Sequence, residues 1–340
     1  MDFEKIKRRQ TIRLVVTESL MVLSVVALVV VLVLVVSGYW INANFEVERS
    51  GLLQVSSVPT GAVVTVDDGV WFQRTNTSKM ISSGKHTLTV SKDGYDTWTK
   101  DVEVPEGLLY RLHYPRLFLL ERTAEEVLPM TELIKVTVSP KRDSLLVYQA
   151  SGWSRINLNS DTPVAKVVTS AEATGLLQDW EKITAEAENY DEDGNIILRF
   201  YEDQYVVKLE QDTINVIKKD SEEKVLSERL PFVPKVVKVG HRGEFIVMND
   251  GVRMVTLDME TMSLVEWAVE SENFGWMDND LMYVVDAAGE LIVYDYDGLN
   301  RRELASGVSS KWPIVITNDK WMYYFNDNGL VREWLIPHNV

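Results

Sequence analysis

The sequence predicts an all-β outer region carried by one N-terminal transmembrane α-helix, and three observations lead there. From Ser19 to Trp40 the chain runs 22 residues without a charge. Beyond residue 50 the apolar residues fall into short alternating runs separated by Gly, Pro and Asx clusters, the pattern of antiparallel strands. Between residues 122 and 340 a strand–turn–strand unit recurs five times, about every 44 residues, near the length of a four-stranded propeller blade.

The first element is a basic tail, residues 1–13. Residues 1–18 hold Lys5, Lys7, Arg8, Arg9 and Arg13 against Asp2, Glu4 and Glu18, a net +2, so the remainder of a chain whose total is −16 carries −18. An outer region of that charge repels phosphate backbones, which excludes nucleic acid as a partner. With 340 residues and 46% hydrophobic content the chain is long enough for two or three domains with real cores. It has no cysteine, which excludes disulfides, Cys-ligated zinc, iron–sulfur clusters and thiol nucleophiles.

The second element, residues 14–40, is the transmembrane helix, with its apolar run from Leu20 through Val36. At 1.5 Å per residue the uncharged stretch makes roughly 33 Å of helix, enough for a hydrocarbon core of about 30 Å. The lipid bilayer is thus one expected partner. Tyr39 and Trp40 fall where an interfacial aromatic belt sits, and the basic residues precede the span, so the N-terminus is placed in the cytoplasm and residues 41–340 outside a cytoplasmic membrane. A cleaved signal peptide is the competing reading, but its apolar region spans only about 7–15 residues. Val36-Ser37-Gly38 is a poor cleavage site, and Ile41-Asn42-Ala43 has a bulky residue where a small one is needed.

Residues 41–50 read as a polar linker. After it, 52–57, 62–66, 86–90 and 97–104 alternate as strands, punctuated by Pro59, Gly61, Asp67-Asp68-Gly69, Ser83-Gly84 and Asp93-Gly94. The stretch Val58-Pro59-Thr60-Gly61-Ala62, followed by Gly84-Lys85-His86 and then by Lys92-Asp93-Gly94-Tyr95, resembles a PEGA domain over residues 51–121. Pro59, Gly61 and Ala62 match the Pro-Glu-Gly-Ala motif for which that family is named, and Thr60 stands in place of the Glu. The resemblance implies a small β-sandwich of envelope proteins with no catalytic residues. Read from the residues alone, Gly61, Gly69, Gly84 and Gly94 serve turns that demand positive φ, and Pro59 pre-sets a turn or strand entry.

In residues 122–340 the repeat is clearest at 244–252, 281–295 and 321–330, and fainter at 139–148 and 193–200. Ser139-Pro140 ahead of a hairpin resembles blades of WD-repeat-like and Tol-type propellers. The expectation is a β-propeller-like domain of about five blades. Irregular stacked sheets are the alternative, because 211–229 is rich in charge and poorly patterned.

Candidate chemistry is sparse. His86, His113, His241 and His338 lie in four separate segments, none with the i, i+4 spacing of a helical zinc site. Gly-x-Ser-x-Gly, P-loop and dinucleotide-binding motifs are absent, and no cofactor is called for. One string, Asn189-Tyr190-Asp191-Glu192-Asp193-Gly194, offers alternate oxygen ligands at Asn189, Asp191 and Asp193 as a calcium loop does, yet Phe200 occupies the position of the bidentate carboxylate. Asp295-Tyr296-Asp297-Gly298 is a shorter fragment of that kind. Both also read as Asx-Gly hairpin turns. Nine of ten Trp lie outside the membrane segment, serving core packing or, where exposed, sugar stacking. The expected function is a non-enzymatic, membrane-anchored envelope protein whose outer region binds protein or glycan. A cell-wall or surface-layer polysaccharide binder and an exported carbohydrate-active enzyme on a propeller scaffold are the alternatives.

Overall fold

The computed structural model describes residues 3–36, 39–41, 47–187, 189–190, 195–200, 203–240, 243–269, 273–278 and 280–335. The chain forms two compact units, one of residues 1–92 with 97–115, the other of 93–96 with 116–340.

The first unit opens with α1 (Phe3–Val36). The helix begins within the basic tail, whose Lys, Arg and Gln residues are good helix formers, and stops before the expected residue 40. Ser37-Gly38 follows its last residue, and Tyr39 and Trp40 belong to a strand instead. Arg13–Val33 is long and apolar enough to cross a membrane, and none of it is buried by protein.

Eight strands complete the unit: β1 (Tyr39–Ile41), β2 (Val47–Val55), β3 (Val63–Val66), β4 (Gly69–Arg74), β5 (Thr77–Ser82), β6 (Gly84–Ser91), β7 (Trp98–Val104) and β8 (Leu109–Leu112). They build two four-stranded sheets, one of β1, β2 and β5 with β8 parallel to β2, the other in the order β4-β3-β6-β7. Alternation drives one face of each inward: Leu53 and Val55 from the first sheet, Val64, Leu88, Val90 and Trp98 from the second, are fully buried. Each such side chain contributes about 1.5–3 kcal/mol. Trp98 meets Tyr114 edge-on at 5.8 Å between ring centroids.

The second unit is a ring of sheets. β9 (Ala124–Pro129) comes first in the chain. Blade 1 is β10 (Leu133–Val138), β11 (Ser144–Gln149), β12 (Gly152–Asn157) and β13 (Ala165–Val168). The 18-residue helix α2 (Ser170–Ala187) follows. Blade 2 is β14 (Asn189–Tyr190), β15 (Ile196–Phe200), β16 (Asp203–Glu210), β17 (Thr213–Lys218) and β18 (Glu223–Arg229). Blade 3 is β19 (Val236–Val239), β20 (Phe245–Asn249), β21 (Arg253–Asp258) and β22 (Ser263–Ala268). Blade 4 is β23 (Phe274–Trp276), β24 (Leu281–Val285), β25 (Leu291–Asp295) and β26 (Arg302–Ala305). Blade 5 is β27 (Val315–Thr317), β28 (Trp321–Asn326) and β29 (Gly329–Trp334), completed by β9, so the start and end of the unit share one sheet.

The five hairpins expected from sequence thus fall one to a blade, and 211–229, the poorly patterned stretch, holds the antiparallel pair β17–β18, whose register shifts between Val216 and Ile217. Closure requires glycine at one point. A Cβ on Gly329 would lie 2.2 Å from the Leu128 carbonyl and 2.5 Å from the Met130 amide.

Neighbouring blades pack face to face. Val207 and Val216 of blade 2 share a core with Ile246 and Leu257 of blade 3. Leu281 and Val293 of blade 4 do so with Met322 and Val331 of blade 5, and Tyr323 and Phe325 with Leu145 and Val147 of blade 1. Between blades 3 and 4 Phe245 stacks on Tyr296 at 4.1 Å. The remaining face of blade 1 is covered by a helix not expected from sequence: Ala173 and Trp180 of α2 bury Leu146. Thr169 and Glu172 cap it reciprocally, the Thr169 amide donating to the Glu172 carboxylate at 2.8 Å and the Glu172 amide to Thr169 Oγ1 at 3.2 Å.

Candidate binding groove

Blades 2 and 3 leave a groove of about 390 Å³ at the outer margin of their shared core, lined by Leu226, Glu228, Arg229, Pro231, Val255, Met262, Ser263, Leu264 and Glu266. Its floor follows from strand alternation. Leu226 on β18 and Leu264 on β22 pack against the core that Val255 completes, and Met262 joins them from the turn before β22. Glu228 and Glu266 occupy other positions of the same two strands, Glu228 opposite Ile214 and Glu266 opposite Val255. Both strands end their sheets, so each presents an open backbone edge.

The charges of the groove are not balanced. Arg229 is occupied by Asp212, its Nε donating at 2.6 Å, an interaction that holds the Asp212 carboxyl below its ordinary range. Among the described residues Glu228 and Glu266 have no cationic partner. The groove therefore joins an apolar floor to two uncompensated carboxylates, a combination that suits an apolar side chain flanked by Lys or Arg.

A second polar cluster lies where the first loops of blades 1, 4 and 5 meet. Buried Arg116 donates to Asp278 of blade 4 and Asp319 of blade 5, each at 2.5 Å. Burial alone would lower the pKa of its guanidinium, and the two carboxylates more than reverse that. Arg142 of blade 1 donates to the Trp276 carbonyl at 2.8 Å and to the Met277 carbonyl. That reach, from blade 1 to blade 4, crosses the interior of the ring. Burial, ahead of the opposing charge of Asp278, lowers the Arg142 pKa, so the cluster ties the first loops of blades 1, 4 and 5 together through two buried arginines. These arginines carried no signal in the sequence, and neither did the groove.

The sequence candidates are dispersed. Gly61 has φ +80°, Gly84 +119° and Gly94 +80°, but Gly69 does not take the expected positive φ: it already belongs to β4, and the left-handed positions of that turn are Asp67 at +48° and Asp68 at +65°. The Ala62 amide donates to Thr75 Oγ1 at 3.0 Å and Ser57 Oγ to the Pro59 carbonyl at 2.7 Å, so two buried hydroxyl residues, Ser57 and Thr75, hold the motif turn. Gly94 and Tyr95 lie in the second unit, where Tyr95 bridges Leu119 and Asp96 pairs with Arg302. Burial, ahead of the opposing charge of Arg302, raises the Asp96 pKa. Asp191 and Asp193 lie outside the described residues, and of Asn189 only the backbone, in β14, is described. In the loop 295–298 the carboxylates serve the chain itself: Asp295 accepts from Asn300 Nδ2 at 2.8 Å and Asp297 from the Leu299 amide at 3.1 Å. His86 sets Nδ1 2.5 Å from the Asp67 carboxylate and Nε2 2.8 Å from the Ser82 carbonyl. His241 and His338 lie outside the described residues. Trp98, Trp180, Trp276 and Trp321 are buried, which removes them as sugar platforms. Leu20 is exposed on α1, and Val36 is its last residue.

Residues 50–115 match the PEGA domain family. The match ends where the second unit takes up the chain at Arg116. No curated protein matches the chain. Among solved structures, the C-terminal WD40 domain of Sif2 is similar at 12% identity over 62% of this chain and 60% of that one, with a TM-score of 0.28. The β-propeller domain of Cps50 (Swd1) from Myceliophteria thermophila is similar at 9% identity over 74% of this chain and 80% of that one, TM-score 0.26. Streptogramin B lyase is similar at 10% identity over 85% and 98%, TM-score 0.29. The propeller beyond the PEGA domain rests on its own five sheets and their closure, not on these distant likenesses.

Proposed function

We propose that this chain is a single-pass, membrane-anchored envelope protein, N-terminus inside, whose PEGA domain and propeller stand outside the cytoplasmic membrane as a non-enzymatic binding region. The observation that carries the reading is Arg13–Val33, a 21-residue apolar span with no protein over it. Side chains such as Met21 and Leu23, 69% and 67% exposed, support it, because apolar surface is unfavourable in water and a hydrocarbon core removes that cost. The partner is a protein segment in which a bulky apolar residue is flanked by Lys or Arg, seated in the groove between blades 2 and 3. A polysaccharide is the second reading, weakened by the burial of Trp98, Trp180, Trp276 and Trp321.

The absence of cysteine makes the test clean. Single-cysteine variants Lys5→Cys and Val252→Cys are expressed in cells and treated with a membrane-impermeant maleimide. Labelling of V252C in intact cells, with K5C labelled only after lysis, is the expected result. The opposite pattern, or release of the chain from membranes by alkaline carbonate, overturns the anchor. For binding, the full chain in nanodiscs is titrated with apolar peptides flanked by Lys or by Glu. The Lys series is expected to bind at least about tenfold more tightly, and reversing both carboxylates (E228K with E266K) to abolish the difference. Equal binding of the two series, or a glycan panel that binds where peptides do not, removes the protein reading.

A further inference from the structure

We infer that the PEGA domain has a second contact with the membrane: the loop 105–109, whose Leu108 and Leu109 enter the interfacial layer of the bilayer beside the exit of α1. The inference rests on the anchor reading of α1 and adds the docking of the first domain onto the lipid.

It comes from strand register. β2 has β5 along one edge, from Ser50 to Val55. β8 and β1 share the other edge, β8 with Leu109 opposite Leu52 and β1 with Tyr39 opposite Arg49 and Ile41 opposite Val47. Because β1 is antiparallel to β2, the chain leaving α1 reaches β2 from the Gly51–Leu52 side. That is the level at which β8 begins. Val36 ends the helix three residues before Tyr39, a span of at most about 11 Å of chain. The bilayer surface that α1 leaves therefore lies at the mouth of the 105–109 loop.

The loop is built to present its leucines. Gly51 lets it lie directly on β2, since a Cβ there would fall 2.4 Å from the Pro105 carbonyl oxygen and 2.7 Å from Val104 Cγ1. The Gly107 amide donates to the Ser50 carbonyl and the Leu52 amide to the Leu108 carbonyl, both at 2.9 Å. The backbone is thus fixed while the side chains of Leu108 and Leu109 remain 63% and 41% exposed. Two adjacent exposed leucines on an ordered turn hold apolar surface in water at a cost that an acyl boundary removes. The carboxylate of this loop, Glu106, is paired with Arg49, so the loop meets the headgroups without an uncompensated negative charge. Committing the surface to lipid follows from its continuity with the uncovered apolar span of α1, within the same compact unit.

The test uses the full chain in liposomes of three parts phosphatidylcholine to one part phosphatidylglycerol. A single cysteine is placed at Leu28, Leu108 or Thr60, labelled with an environment-sensitive fluorophore, and quenched by spin-labelled lipid. Thr60, exposed in the motif turn beyond the opposite end of β2, is the control. The expected result is quenching of L28C and of L108C, the latter at least about twofold above T60C, as for a side chain about 5–10 Å into the interface. Quenching of L28C with L108C equal to T60C overturns this inference and leaves the anchor standing. Absence of quenching at L28C overturns the anchor and this inference with it.

Discussion

Replacing Arg116 by Leu tests the cluster that joins the first loops of blades 4 and 5. The guanidinium is 5% exposed and holds two carboxylates, Asp278 at 25% and Asp319 at 57% exposure. Removing one member of a buried pair costs about 3–5 kcal/mol, because the partner is left charged and desolvated. Asp319 is open enough to find water again, so the loss belongs to Asp278 and sits at the lower end, about 3 kcal/mol. Urea unfolding of the full chain in detergent, followed by tryptophan fluorescence, reads it out. With a slope of about 3 kcal/mol per molar for a unit of this size, the midpoint should fall by about 1 M. R116L combined with D278N and D319N should recover part of the loss by removing the orphaned charges. A shift below about 0.5 kcal/mol in R116L would show that the pairs contribute no more than surface ones, and would refute the reasoning.

Three further outcomes follow from local geometry. Gly329→Ala drives a Cβ into the backbone of β9 and should cost about 2–4 kcal/mol, seen as a lowered melting temperature and faster amide exchange in residues 124–129. Asp250 accepts from the Arg253 and Val252 amides and from the Arg253 guanidinium, which take its pKa from the ordinary 3.8 to about 2. A carboxyl depressed on folding stabilises the native state above its unfolded pKa and loses that contribution as pH falls, so wild type should lose more stability than Asp250→Asn between about pH 4 and pH 2 in an acid-unfolding series. Thr169→Ala removes the α2 cap and should cost about 1 kcal/mol, with accelerated exchange confined to the first turn of the helix.

What the sequence revealed was local. Asn249-Asp250-Gly251, Asp286-Ala287-Ala288-Gly289 and Asn326-Asp327-Asn328-Gly329 announce hairpin turns because Asx side chains bond their own backbone and glycine accepts positive φ, and each turn joins the paired strands of one blade. The α2 helix was legible in principle: Ala173, Leu176, Leu177 and Trp180 recur at helical spacing behind Thr169-x-x-Glu172. Its apolar stripe is short and sits among alternating strands, which hides it. The candidate sites were not legible. Arg116 meets its partners across 162 and 203 residues of chain, and Glu228 and Glu266 line one groove only because two blades pack. Nothing in the chain announces such pairings, since they are set by sheet order and not by neighbours. The same holds for β9, whose partner strand is 200 residues away.

The position of the groove follows from how the ring is closed. A blade buries both faces only if a neighbour covers each, and two of the seams around this ring use devices outside the repeat. At the seam between blades 5 and 1, Tyr323 and Phe325 pack on Leu145 and Val147, and blade 5 takes its outer strand from the start of the unit. At the seam between blades 1 and 2, α2 covers Leu146 and Trp153. The seam between blades 2 and 3 has neither device. Two twisted sheets that pack at their inner strands diverge toward their outer ones, and here the divergence falls between β18 and β22, where Leu226, Met262 and Leu264 remain partly exposed. The groove is the part of the blade 2–blade 3 interface that sheet twist leaves unfilled, and it lies between two sheet-edge strands whose Glu228 and Glu266 have no cationic partner among the described residues.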